Sequence, residues 1–166
     1  VKLGKTTGAK ILLATDPDAD RLGVAVQNGD AYTLLTGNQL GALVIHYVTT
    51  ALQEKNAIPD NAVVVKTIVT AELGAKIAAS QGIETENVLT GFKYIAEKIA
   101  QYEATGEKSF LFGYEESYGY LMKPFARDKD AVQMALIVAE MASYYYSEGK
   151  SLLNVLDELD KQYGHH

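Results

Sequence analysis

No cysteine occurs among the 166 residues, which excludes disulfides, thiolate metal sites and a cysteine nucleophile, and suits a reducing cytoplasm. Positive charge is also in deficit. Lys and Arg total 15 against 21 Asp and Glu, a formal charge of −6, so the chain is not a general binder of nucleic acid or anionic membranes. Long apolar runs are missing too. The longest stretch without Asp, Glu, Lys or Arg, Ala31 to Gln53, contains Gly37, Asn38, Gln39, His46 and several threonines, too polar for a membrane span. Val1 to Lys10 is basic and lacks an apolar segment, so no signal peptide is expected. There is no internal repeat, low-complexity tract or long flexible linker. Val rather than Met at position 1, and the terminal His165-His166 pair, lead us to expect a piece of a larger protein, naturally ending near Gly164 and followed by a purification-tag remnant.

What is present alternates between strand and helix patterns. KILLA (Lys10 to Ala14) and GVAVQ (Gly23 to Gln27) are short apolar runs of strand type, and Asn28-Gly29 reads as a hairpin turn into a strand from Ala31 to Leu35. Thr36 and Gln39 have capping-box spacing, and Leu40, Leu43, Val44 and Tyr47 then share one helical face up to about Lys55. AVVVKTI (Ala62 to Ile68) predicts a buried strand, Thr70 to Ser80 a helix stopped by Gly82, and Glu84 to Leu89 a strand. Thr90 can cap the next helix, with Tyr94, Ile95, Ile99 and Tyr102 on it. SFLF (Ser109 to Phe112) and Tyr118 to Met122 predict two strands, and helices follow over Asp130 to Ser147 and Leu152 to Gln162, the latter capped by Ser151. His46 lies in a helical apolar pattern and reads as structural. The order predicts an α/β fold with a mixed β-sheet and packed helices, preceded by a strand, a loop and a hairpin too small to be a domain alone.

The loop ATDPDADRLGV (Ala14 to Val24) concentrates the chemistry. Asp16, Asp18 and Asp20 alternate, so an extended strand would put them on one face about 6.5 Å apart. A small cation takes its oxygens at roughly 2.1 Å, so the loop must curl to bind one, and Pro17 is compatible with that bend. A solvated polar turn is one reading, weakened by the apolar residues close on both sides and by the repulsion of crowded carboxylates. A calcium hand fails, since Arg21 stands at its glycine position and Gln27 at its bidentate glutamate. A Mg²⁺ site for phosphoryl transfer fits better, with Arg21 a forked donor to a phosphate oxygen.

This loop resembles the metal-binding loop of the α-D-phosphohexomutases, the phosphoglucomutase and phosphomannomutase family. FGYEESYGYL (Phe112 to Leu121) is similar to that family's sugar-binding loop, LTGFKYI (Leu89 to Ile95) to a loop that contacts the sugar and influences its orientation, and RDKDA (Arg127 to Ala131) to a basic active-site segment. The motifs fall in family order across nearly the whole chain, and the doubled glutamate with tyrosines most resembles bacterial phosphoglucomutases. The resemblance implies Mg²⁺ on Asp16, Asp18 and Asp20, catalytic support from Arg21 and Lys129, and substrate contacts from Thr90, Gly91, Glu115 and Ser117. Elementary chemistry agrees for two of these: a carboxylate accepts from two vicinal hydroxyls, and a serine donates or accepts, which suits a sugar bound in two orientations. An open helix N-terminus at Thr90 and Gly91 suits an anion, or is only a cap.

The family transfers phosphoryl groups between hexose 1-phosphate and hexose 6-phosphate through a phosphoserine and a bisphosphate intermediate. That serine precedes a histidine, and no Ser-His pair occurs here. We therefore expect residues 1–35 to be the C-terminal remnant of domain 2, 36–164 to be domain 3, and 165–166 the tag remnant. By itself the fragment is expected to be inactive. Glucose and mannose 1- or 6-phosphate are the expected partners of the full-length cytoplasmic isomerase. A phosphopentomutase of the same superfamily, a non-catalytic metal or sugar-phosphate binding module, and a metal-dependent phosphatase are the rivals.

Overall fold

The computed structural model describes residues 1–164; the expected tag remnant, His165 and His166, lies outside the described residues. A short helix α1 (Lys2–Thr7) leads into β1 (Ile11–Thr15), β2 (Leu22–Asn28) and β3 (Ala31–Leu34), an antiparallel sheet in that order. Then come α2 (Gly37–Glu54), β4 (Ala62–Thr67), α3 (Leu73–Ser80), β5 (Glu84–Val88), α4 (Phe92–Thr105), β6 (Ser109–Tyr114), β7 (Tyr120–Leu121), α5 (Ala131–Ser147) and α6 (Leu152–Tyr163). The second sheet runs β5-β4-β6-β7, with β4 parallel to β5 and β6, and β7 antiparallel at its edge. The expected α/β architecture and mixed sheet are both present.

β4 sets the layering. Every one of its residues is buried, so both faces of the strand need helices. Ala62 and Val64 enter the larger core with residues of α2, α3, α5 and α6, while Val63 and Val65 enter a smaller one with Phe92, Ile95 and Ile99 of α4. Leu22, Val24 and Val26 of β2 also enter the larger core. The hairpin sheet is thus attached to the helical layer by apolar contact, each buried branched side chain contributing about 1.5–3 kcal/mol.

The caps agree with the sequence. Thr36 and Gln39 form a reciprocal capping box, Asp130 accepts from the amides of Val132 and Gln133, and Ser151 accepts from Asn154. Each such cap stabilises its helix by about 1 kcal/mol. His46 stacks on Tyr145 with ring centroids 6.4 Å apart, and burial lowers its pKa, as a structural histidine should.

Several local expectations are corrected. α1 was not expected, because its six residues are too few for a helical period to show. The hairpin turn uses Gly29 and Asp30 between the paired Asn28 and Ala31, with Gly29 at φ +57°, one position later than the Asn-Gly pair suggested. α3 begins at Leu73 rather than Thr70, because Thr70 N–H bonds back to Thr67 in a turn after β4. Thr90 does not cap α4: Gly91 is the N-cap, without a side-chain cap bond. The strand expected over Tyr118 to Met122 shrinks to Tyr120–Leu121.

One surface cluster carries a pH-dependent share of stability. Burial pushes the Glu86 carboxyl up, but Lys108 at 2.5 Å and Lys98 at 2.9 Å outweigh it and bring the pKa from 4.5 down to about 2. A depressed folded pKa stabilises above the unfolded value and is lost as pH falls through the folded one. Urea melts of Glu86→Gln should therefore show a flatter loss of stability than the parent between pH 4.5 and about 2, and equal slopes would refute this.

Candidate functional site

The carboxyl ends of the three parallel strands point to one place, where open α/β sheets hold ligands. The end of β4 and the turn after it carry Thr67 and Thr70, the segment after β5 carries Thr90 and Gly91, and the loop after β6 carries Glu115, Glu116 and Ser117. Main-chain hydrogen bonds tie the loop from Asp16 to Arg21 to this edge. Leu22 N–H donates to Tyr118 O at 3.1 Å, Ala131 N–H donates to Ala19 O at 3.0 Å, and Arg21 forms an isolated antiparallel bridge with Gly119.

Within its loop, Asp16 organises the backbone. Its Oδ1 accepts from the amides of Asp20 at 2.9 Å and Arg21 at 3.0 Å, and the Arg21 amide is the main cause of its lowered pKa. Ala19 sits at φ +56°, a conformation costing about 1–2 kcal/mol for a residue with a Cβ. Its N–H bonded to Asp16 O at 3.1 Å and its carbonyl bonded to Ala131 hold it there. Asp18 is exposed. Asp20 pairs with Lys129 at 3.2 Å and lies 3.8 Å from Arg21, whose side chain is 57% exposed and free to reach a ligand. Among the described residues, no group of three His, Cys, Asp or Glu is disposed to hold a metal ion.

Lys129 is the hub. Its ammonium bonds Asp128 at 2.7 Å and Asp20 at 3.2 Å and lies 5.3 Å from the centre of the Phe92 ring. Burial disfavours the charge, but the two carboxylates outweigh it and hold the pKa above the ordinary lysine value. Its aliphatic stem crosses Gly119 so closely that a Cβ there would meet Lys129 Cδ at 2.3 Å. Glycine at 119 is thus a requirement of close approach. Asp130, the cap of α5, donates its N–H to Tyr120 O, which fixes where Lys129 departs.

Glu115 is 7% exposed, and its Oε1 accepts from Gly91 N–H at 3.1 Å. Burial pushes its pKa up, with the Gly91 amide and the Lys129 ammonium opposing. Gly91 has φ +120°. Ser117 is half-buried at the loop tip, and Thr90 is exposed. The structure therefore groups Asp20, Arg21 and Lys129 in one ion cluster and Glu115 with Gly91 in a hydrogen-bonded pair, the two meeting at Gly119, where a Cβ would contact both Lys129 Cδ and Glu115 Oε2. Asp16 joins through the backbone with Asp18 beside it, while Thr90 stands apart. Sequence reasoning overlooked Asp128, Phe92 and Glu116, although all three stand in or beside the quoted motifs. It also passed over Lys66, the one charge in a valine-rich buried strand.

An α/β/α layer with acidic, basic and glutamate-bearing loops gathered at its strand ends is the class defined by this arrangement. A family model for phosphoglucomutase/phosphomannomutase, alpha/beta/alpha domain III, matches residues 36–163, and the chain belongs to that family. It is 41% identical over 158 residues to a phosphoglucomutase of Staphylococcus haemolyticus, covering 94% of this chain and 28% of that protein. It is 38% identical over 167 residues to that of Staphylococcus aureus USA300, covering 100% and 29%. The chain thus spans less than a third of these relatives' length. Among solved structures, pp63/parafusin, a phosphoglucomutase from Paramecium in its open form, superposes with a TM-score of 0.70 at 19% identity, covering 94% of this chain and 25% of that one. A phosphoglucomutase/phosphomannomutase family protein from Burkholderia thailandensis gives 0.69 at 19%, covering 96% and 31%. These two likenesses concern the fold.

Proposed function

We propose that the chain is the part of a cytoplasmic hexose-phosphate mutase that reads the sugar and supplies the metal loop. Residues 1–35 would end one domain of the parent enzyme and 36–164 form the next. The observation that carries this reading is the joining of the Asp16–Arg21 loop to the Glu115–Gly119 loop through Leu22 and Arg21, with Ala131 tying the same loop to the start of α5. It brings the carboxylates and the half-buried Lys129 ammonium into the neighbourhood of Glu115, a grouping suited to transfer of a phosphoryl group on a sugar.

In this reading Glu115 accepts hydrogen bonds from two neighbouring sugar hydroxyls, and Ser117 donates to or accepts from a third oxygen. Thr90, exposed beside Gly91, offers a hydroxyl to the same sugar. Arg21, with its exposed guanidinium, binds phosphate oxygens in a forked manner. Lys129 adds positive charge beside the reacting group and holds Asp20 in place. Asp16, Asp18 and Asp20 are an all-oxygen donor set of the kind a hard cation takes, and they would hold Mg²⁺. When bound, the ion neutralises charge on the transferred phosphoryl group. Two protein donors occupy Asp16 Oδ1 and Lys129 bonds Asp20 Oδ1, so an ion would take the carboxylate oxygens that these bonds leave open.

The 166 residues alone lack the Ser-His pair that carries the phosphoryl group in the family. A coupled assay with glucose 1-phosphate, Mg²⁺ and a hexose bisphosphate should detect turnover in the full-length protein and none in this chain. Turnover by the chain alone, or silence of the full-length protein with glucose and mannose phosphates alike, would overturn the reading.

A further inference from the structure

The two adjacent glutamates of the loop go to different partners. Glu115 accepts from Gly91 N–H, whereas Glu116 turns to the buried end of β4 and the turn after it, where its Oε2 lies 3.2 Å from both Thr67 Oγ1 and Thr70 Oγ1. The two hydroxyls are themselves 2.7 Å apart, and the threonines are 0% and 3% exposed. Three oxygens share two hydroxyl protons, so one threonine donates to the other while the second donates to the carboxylate. Such a chain polarises cooperatively when complete and leaves a buried donor unpaired when its terminal acceptor is removed.

The turn that receives Glu116 is itself fixed. Lys66, fully buried, donates to Thr70 O at 2.9 Å and to Glu72 Oε1 at 2.7 Å, and Ala71 N–H donates to Asn38 Oδ1 at 3.1 Å. The loop that Glu116 belongs to needs holding. Gly113 pairs with Leu121 and Tyr114 with Tyr120, and Glu115 N–H bonds Gly119 O at 2.9 Å, leaving Glu116, Ser117 and Tyr118 as a three-residue tip. Tyr118 takes φ +71° at the place where such a tip ordinarily favours glycine. Against α2 the tip fits so tightly that a Cβ on Gly37 would fall 2.0 Å from Glu116 O.

We propose that Glu116 is the positioning residue of this loop: anchored on the Thr67 and Thr70 hydroxyls, it holds the strained tip so that Glu115 and Ser117 keep their places. The consequence for catalysis rests on the mutase reading above; the anchoring does not.

Amide exchange in this 166-residue chain, followed by NMR for the parent, Glu116→Ala and Glu116→Gln, tests the anchoring. In the alanine variant the amides of Leu22, Gly91 and Glu115, all bonded to the loop, should exchange about tenfold faster relative to those of Val63, Val64 and Val65. The glutamine variant keeps an acceptor oxygen and should stay within about threefold of the parent. Thr70→Val, which keeps the side-chain shape, should shift the same amides in the same direction and serves if the alanine chain does not fold. Unchanged exchange, equal acceleration in β4, or a glutamine variant as impaired as alanine would each overturn the proposal. In the full-length enzyme, Glu116→Ala should raise KM for glucose 1-phosphate about tenfold, with recovery in Glu116→Gln. If the exchange pattern appears but KM does not move, the anchoring stands and the loop's assignment to the sugar falls.

Discussion

If the proposed mutase reading holds, Glu115→Ala in the full-length protein is expected to lower kcat/KM for hexose phosphate by about 10²- to 10⁴-fold, since each charge-assisted hydrogen bond to a sugar hydroxyl contributes about 1.5–3 kcal/mol and two would be lost. The magnitude follows from where Glu115 sits. At 7% exposure it is shielded from water, so no solvent molecule freely replaces it when a sugar arrives. The Gly91 amide already directs its Oε1, which limits the orientations it must give up on binding. Glu115→Gln keeps one acceptor oxygen and loses the charge, and should fall between parent and alanine. Initial rates over a range of substrate concentration check both variants. A loss smaller than about tenfold for alanine would mean that the loop does not grip the reacting sugar.

The second large effect concerns stability. Glu72→Ala should destabilise the chain by about 2–3 kcal/mol, because it strips the carboxylate from a buried ammonium. The expected value is at the lower end for such changes because Glu72 is 59% exposed while Lys66 is 1% exposed, so water screens the pair from one side. Lys66→Met replaces the same charge with an apolar side chain of similar length and should cost no more than about 1 kcal/mol. Urea unfolding of the two variants decides the matter. If the methionine variant is the more damaged, Lys66 matters chiefly through its bond to Thr70 O, and the ion-pair account is wrong.

The elements most legible in the sequence were those fixed by local chemistry. Thr36 and Ser151 announced helix starts because a capping oxygen acts within three residues of itself. AVVVKT announced a two-sided strand because neither face alternates with polar residues. The resemblance implied a common site for Asp20, Arg21, Glu115 and Lys129, and the structure ties Asp20 to Arg21 and Lys129. What stayed hidden depends on contacts distant in the chain or on backbone donors. Nothing in the spacing of Asp16, Asp18 and Asp20 shows that amides would take Asp16 or that Lys129 would take Asp20. Glu115 and Glu116 look equivalent in a string of letters. They differ because one meets Gly91 and the other two buried threonines some 46 and 49 residues earlier. Thr90 resembled a cap by type and place, yet the N-cap falls on Gly91, whose positive φ of +120° suits glycine.

The most direct measurement is the ³¹P NMR spectrum of the full-length protein incubated with glucose 1-phosphate, Mg²⁺ and a catalytic amount of hexose bisphosphate. The phosphate resonance of the 1-position should decline while that of the 6-position grows to equilibrium, without accumulation of inorganic phosphate. Growth of inorganic phosphate instead would make the protein a phosphatase, and an unchanged spectrum with every hexose phosphate would remove the mutase reading.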